Sequence, residues 1–97
     1  MKTFRLYKTL LASAAFCAFA AGASAQDIKL GYNGDLSASP SAQSGQAAVL
    51  GMEAAIADLN AAGGVLGRKF TLVTRDDVSA PPKSIQNMSD LIDNEKV

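Results

Sequence analysis

Asp76 and Asp77 are adjacent carboxylates at the end of an alternating apolar run, a pair from which a general acid and a general base could be drawn. Nothing nearby completes such a pair. The chain contains no histidine, so the usual general base and the commonest metal ligand are both missing. The two aspartates read instead as loop acids that satisfy nearby amides or charges. No catalytic residue, no metal ligand and no cofactor site is expected, and the chain does not read as an enzyme. The other candidate for chemistry is the glycine cluster in "LNAAGGVLGRKF" (59–70), with Gly63, Gly64 and Gly67. A phosphate cradle lies after a strand and before a helix. This cluster follows a helical run and precedes a strand-like one, so it reads as a tight helix-to-strand turn. That places it at the end of the sheet opposite to where α/β folds bind ligands.

The first 25 residues have a different character. Lys2, Arg5 and Lys8 precede the uncharged run "LLASAAFCAFAA" (10–21), and Ala23-Ser24-Ala25 fits a small-x-small cleavage pattern. The run is shorter than the ~20 residues a membrane span needs. Residues 1–25 are therefore expected to be a secretory signal peptide, cut between Ala25 and Gln26, and the remainder is expected in the periplasm. Cys17 is the single cysteine. Lipidation wants a small residue before the cysteine, and Phe16 stands there, so Cys17 is assigned to the apolar run and no disulfide is expected. Residues 26–97 carry six basic and nine acidic residues, a formal charge of −3. That balance argues against a nucleic-acid partner and against an anionic membrane surface.

The elements follow from periodicity. "DIKLGYN" (27–33) sets Ile28, Leu30 and Tyr32 against Lys29, Gly31 and Asn33, a strand period. "SASPSAQSG" (37–45) reads as a loop broken by Pro40. Val49, Met52, Ile56 and Leu59 then form one helical stripe, widened by Ala48, Ala55 and Ala62. The spacing predicts a helix from about Gly45 to Ala62, with Ser44 as N-cap and Gly63 at the left-handed position that ends it. "KFTLVTR" (69–75) is a second strand, with Phe70, Leu72 and Thr74 opposite Thr71, Val73 and Arg75. Pro81 and Pro82 suit the first turn of a second helix, whose stripe would be Ile85, Met88 and Leu91/Ile92. Val97 reads as the first residue of a third strand. The order β-α-β-α predicts an α/β fold with a parallel sheet and flanking helices. Two strands and two helices do not complete such a fold, so the chain is expected to be the opening portion of a longer protein.

"IKLGYNGDLS", the small-residue loop, "GMEAAIADLNAAGGVLGRKFTLVTRDD" and "PPKSIQNMSDLI" together resemble the N-terminal part of the periplasmic leucine/isoleucine/valine-binding proteins, the type I solute-binding proteins of ABC transporters. The most specific part is Asn60-Ala61-Ala62-Gly63-Gly64-Val65-x-Gly67-Arg68-Lys69, followed by a strand and Asp76-Asp77. The resemblance implies two α/β lobes that close on a ligand, with residues 26–97 as the start of the N-terminal lobe. It implies the substrate-binding component of an importer for a branched-chain amino acid or related amide, acting without catalysis and docking on a membrane permease. The same fold could instead serve as a ligand-sensing receptor domain, or the chain could be a truncated, non-functional fragment. Under the resemblance, Ser37, Ser39, Ser41 and Ser44 are the candidate ligand-facing residues, since hydroxyls and free amides at a helix N-terminus suit a carboxylate. The family's carboxylate-gripping serine and threonine follow a third strand, past Val97. The chain departs from the family pattern at Asp35, where a proline is frequent, and at Ser44, where an aromatic is frequent. Loss of an aromatic wall would alter the fit to a branched aliphatic side chain.

Overall fold

The computed structural model describes residues 25–97. The expected signal peptide, apart from Ala25, lies outside them. Four elements follow in order: β1 (Ile28–Gly34), α1 (Ala42–Ala61), β2 (Phe70–Asp76) and α2 (Pro81–Asp93). The strands pair in parallel, with Ile28 opposite Phe70 and Gly34 opposite Asp76. Paired residues of a parallel ladder share a face, so the alternation read from the sequence becomes two faces of one sheet. Ile28, Leu30, Tyr32, Phe70, Leu72 and Thr74 lie on one, and Lys29, Gly31, Asn33, Thr71, Val73 and Arg75 on the other.

The first face is the apolar one, and α1 packs against it. Val49, Met52 and Ile56 are half-buried, as their stripe predicts, while Leu59 and the flanking Ala48, Ala55 and Ala62 stay exposed. The helix begins at Ala42, three residues ahead of the expected start, and its N-cap is Ser41 rather than Ser44. The Ser41 carbonyl accepts from the Ser44 and Gly45 amides at 2.9 and 3.4 Å, and no side chain caps the end. The early start follows from size. Ala42 and Gly45 are buried, and a Cβ on Gly45 would come far inside van der Waals contact with the Asp35 carbonyl oxygen. Small residues three apart let the first turn lie directly on the end of β1.

The other end of α1 closes as the glycines predict. Gly63 donates to the Asn60 carbonyl at 3.1 Å and Gly64 to that of Leu59 at 2.8 Å, the two bonds of a Schellman cap. Gly64 sits at φ 73°, and a Cβ there would strike the Arg68 carbonyl. Val65 and Arg68 then exchange both main-chain bonds, at 2.9 and 2.8 Å, across Leu66 and Gly67, both at positive φ. This is the geometry of a two-residue primed turn.

The second face is polar, and it changes how α2 docks. The expected stripe of Ile85, Met88 and Ile92 is 70, 48 and 54 % exposed, and of the predicted set only Leu91 is buried, at 1 %. The helix turns Ser84, Asn87 and Leu91 inward instead, a face one residue, or about 100°, away. The cause lies in the sheet. Asn33 donates to the Ser84 carbonyl and hydroxyl at 2.9 and 3.0 Å, and Asn87 donates to Asn33 Oδ1 at 3.1 Å and to the Asp76 carbonyl at 3.0 Å. Arg75 pairs with Asp90 at 2.9 Å and with Glu95 at 2.6 Å. Buried polar groups left without partners would cost about 1–3 kcal/mol each, so the polar face of α2 meets the polar face of the sheet. Val97 pairs with neither strand: its amide donates to the Leu91 carbonyl at 3.1 Å and its side chain packs on Gly31.

Candidate ligand-binding edge

Both strands end, at their carboxyl termini, in loops rich in serine and aspartate. Asp35 leaves β1 and turns its carboxylate back on the loop that follows. It accepts from the amides of Ser37, Ala38 and Ser39 at 3.1, 2.8 and 3.0 Å, from the Ser39 hydroxyl, and from the Ser79 hydroxyl at 2.9 Å. The last bond crosses from the first loop to the second. Asp76, the final residue of β2, reaches the other way. It accepts from the Leu36 amide at 3.0 Å, the Ser37 hydroxyl at 2.5 Å and the Val78 amide at 2.9 Å. Each carboxylate is held below the usual carboxylate range by these donors, Asp35 well below it. The Ser39 hydroxyl acts most strongly on Asp35, and the Ser37 hydroxyl on Asp76.

Asp76 and Asp77, adjacent in sequence, diverge in space. Asp77 accepts the Ser79 amide at 3.0 Å, and its carbonyl accepts the Ala80 amide at 2.9 Å. Asp77 is a loop acid engaged with a local donor, and Asp76, at the end of β2, is engaged chiefly with the loop after β1. The turn they hold is a tight one: Val78 and Ser79 sit at φ 48° and 57°, which a β-branched residue such as Val78 seldom adopts.

The serines' hydrogen-bond polarity follows from these contacts. An ionised carboxylate only accepts, and a serine hydroxyl has one proton. Ser37 therefore donates to Asp76, and Ser39 and Ser79 donate to Asp35. With the Ser39 proton committed, Ser41 is the donor across the 2.6 Å contact between their oxygens. Ser39 also accepts the Ser41 amide at 3.1 Å, which fills its lone pairs, so Ser37, Ser41 and Ser79 are the hydroxyls that offer lone pairs to a further partner. Ser44 stands apart, exposed in the first turn of α1.

An open depression of about 530 Å³ lies beside these loops, lined by Asp35, Asp77, Ser79, Ala80, Pro81, Ser84 and Ile85. None of the four serines singled out from the sequence lines it. Ser39 reaches its rim through Asp35, Ser37 and Ser41 are exposed, and Ser44 is a helix residue. Asp35, Ser79 and Ser84 were not anticipated. The only signal for Asp35 was its place after Asn33-Gly34, which reads as a turn. Among the described residues no cluster of three or more potential ligands could hold a metal ion, and no helix is long and apolar enough to cross a membrane.

A parallel α/β sheet whose carboxyl edge gathers the polar loops has the form of a ligand-binding α/β domain. The chain belongs to the periplasmic binding protein family, whose model matches residues 27–97. It is 41% identical over 78 residues to the Leu/Ile/Val-binding protein of Escherichia coli K12, a match covering 80% of this chain and 21% of that protein. It is 38% identical over 81 residues to the leucine-specific-binding protein of Salmonella typhimurium, covering 84% and 22%. The fold superposes on the branched-chain amino acid transporter substrate-binding protein LivJ of Streptococcus pneumoniae, solved with isoleucine. That match has a TM-score of 0.67 and 30% identity, over 73% of this chain and 20% of that one. The chain therefore spans about a fifth of the length of the curated relatives it matches.

Proposed function

We propose that this chain supplies the opening βα units of the first lobe of a periplasmic substrate-binding protein that delivers an amino acid to an ABC importer. The family match over residues 27–97 carries the proposal, with the names of the relatives pointing to branched-chain amino acids as the substrate class. The lobe would bind its ligand by closing against a second lobe, without catalysis, and present the loaded form to a membrane permease. The expected leader, cut after Ala25, would deliver it to the periplasm.

In this reading Ser37, Ser39, Ser41 and Ser44 belong to the rim of the cleft, with Asp35 and Ser79 nearer its floor. The direction of their hydrogen bonds favours a different ligand group from the one expected. The Ser37 and Ser79 hydroxyls, whose protons are already given to Asp76 and Asp35, suit a donor, such as an ammonium or an amide N–H, better than a carboxylate. The ligand's carboxylate would then be gripped by parts of the lobe that follow Val97.

Titration calorimetry with leucine, isoleucine and valine tests the proposal on two proteins: residues 26–97 alone, and a family-length polypeptide that begins with them. The longer protein should bind at least one of the three, and the segment alone should bind none. Micromolar binding by residues 26–97 alone would refute the two-lobe reading, and failure of the longer protein to bind any amino acid would refute the substrate class.

A further inference from the structure

Parallel pairing uses alternate residues of β2. The Ile28 amide bonds the Lys69 carbonyl at 2.7 Å, and the Asp77 amide bonds that of Gly34 at 3.0 Å. With the observed register, the main chain of Lys69, Thr71, Val73, Arg75 and Asp77 therefore faces β1. Phe70, Leu72, Thr74 and Asp76 point their N–H and C=O groups the other way, along an edge where, among the described residues, no strand lies.

Three side chains reach that edge. Asn60, in the last turn of α1, accepts the Phe70 amide at 2.7 Å and donates to the Phe70 carbonyl at 2.8 Å. These are the two bonds that a residue of a neighbouring strand would make. Arg75 Nη1 donates to the Thr74 carbonyl at 3.0 Å, and Asn87 donates to the Asp76 carbonyl at 3.0 Å. Only Leu72 keeps both main-chain groups without a partner among the described residues.

We propose that Asn60, helped by Arg75 and Asn87, blocks the outer edge of β2 against pairing with a strand of another molecule. An exposed row of unpaired N–H and C=O groups is a template for association. A ladder needs several consecutive outward pairs, and here the first is filled outright and two later carbonyls are taken. Leu72 alone is too short a template. Asn60 can do this because the Schellman cap at Gly63 and Gly64 fixes the last turn of α1 beside the start of β2. The motif that turns the chain thus also guards the strand it leads into.

The test compares Asn60→Ala with Leu91→Ala in the full chain. Leu91 is buried on the opposite face of the sheet, so its loss loosens α2 while both Asn60 bonds to Phe70 stay in place. At matched folded fraction, light scattering should show a several-fold larger associated fraction for Asn60→Ala. The Leu72 and Thr74 amides should gain exchange protection in the associated form. Asn60→Asp keeps an acceptor for the Phe70 amide and places a charge on the edge, so it should stay monomeric. If Asn60→Ala does not fold, Arg75→Met, which frees the Thr74 carbonyl, is read in its place by the same two measurements. Association no greater than that of Leu91→Ala would overturn the proposal. So would association that leaves the Leu72 and Thr74 amides freely exchanging.

Discussion

The two ends of the sheet are held by different means. At the end where the strands begin, α1 is joined to β2 by residues close in sequence: Asn60 bonds Phe70, 10 residues on, and Gly64 lies against the Arg68 carbonyl. At the end where the strands finish, two carboxylates tie together loops some forty residues apart, Asp35 to Ser79 and Asp76 to Leu36 and Ser37. The first end is main-chain geometry and depends on what glycine permits. The second is charge-assisted hydrogen bonding and depends on ionisation. The first is therefore indifferent to pH, and the second responds to it.

Substitutions should separate the two. Gly64→Ala sets a Cβ against the Arg68 carbonyl at a positive φ, and should destabilise the fold by about 3 kcal/mol in urea unfolding. Gly45→Ala makes a comparable collision with the Asp35 carbonyl but gains helix propensity. Its expected net cost is smaller, about 1–2 kcal/mol. If the two cost the same, the difference drawn between the ends is wrong. Asp35→Asn removes the charge and puts an NH2 donor in place of one of the two oxygens that accept from both loops. It should raise amide exchange at Ser37, Ala38 and Ser39 and leave exchange at Val65 and Arg68 unchanged.

The pH dependence follows from the same carboxylates. The folded-state pKa values of Asp35 and Asp76 lie below the ordinary 3.8, so as pH falls the unfolded chain takes up protons first. Their contribution is present in full above about pH 5 and is lost as pH falls through 3.8 and on through the depressed folded values. Urea midpoints measured down that range should decline, and the decline should be shallower in Asp35→Asn. The smallest effect is expected at Val78, where φ is positive and the side chain is largely exposed. Val78→Gly should stabilise by no more than about 1 kcal/mol, and a marked destabilisation would show that Val78 packs more than its exposure suggests.

What could be read from the sequence divides along the same line. The strands, the parallel order, the two faces of the sheet and the glycine turn rest on periodicity and on residues with narrow backbone preferences, and all are present. The start of α1 was misplaced because loop serines are good caps in general. Here the deciding factor was the space that Ala42 and Gly45 leave beside Asp35, which periodicity does not report. The docking face of α2 was missed because an apolar stripe was expected to turn inward. The sheet face it meets carries Lys29, Asn33, Thr71 and Arg75, and hydrogen-bond complementarity prevailed. The candidate edge was located in outline, at the carboxyl ends of the strands. The partnership of Asp35 with Ser79 spans 44 residues, and no local pattern encodes it.

The polar seam under α2 has a thermal consequence. α1 meets the sheet through Val49, Met52 and Ile56, and detaching it would expose apolar surface and raise the heat capacity. α2 is fastened by amides, a guanidinium and carboxylates, with Leu91 the one buried aliphatic side chain. Its release would carry little heat-capacity change. Cooling, which weakens apolar burial, should therefore loosen α1 well before α2, and added salt should loosen α2 first.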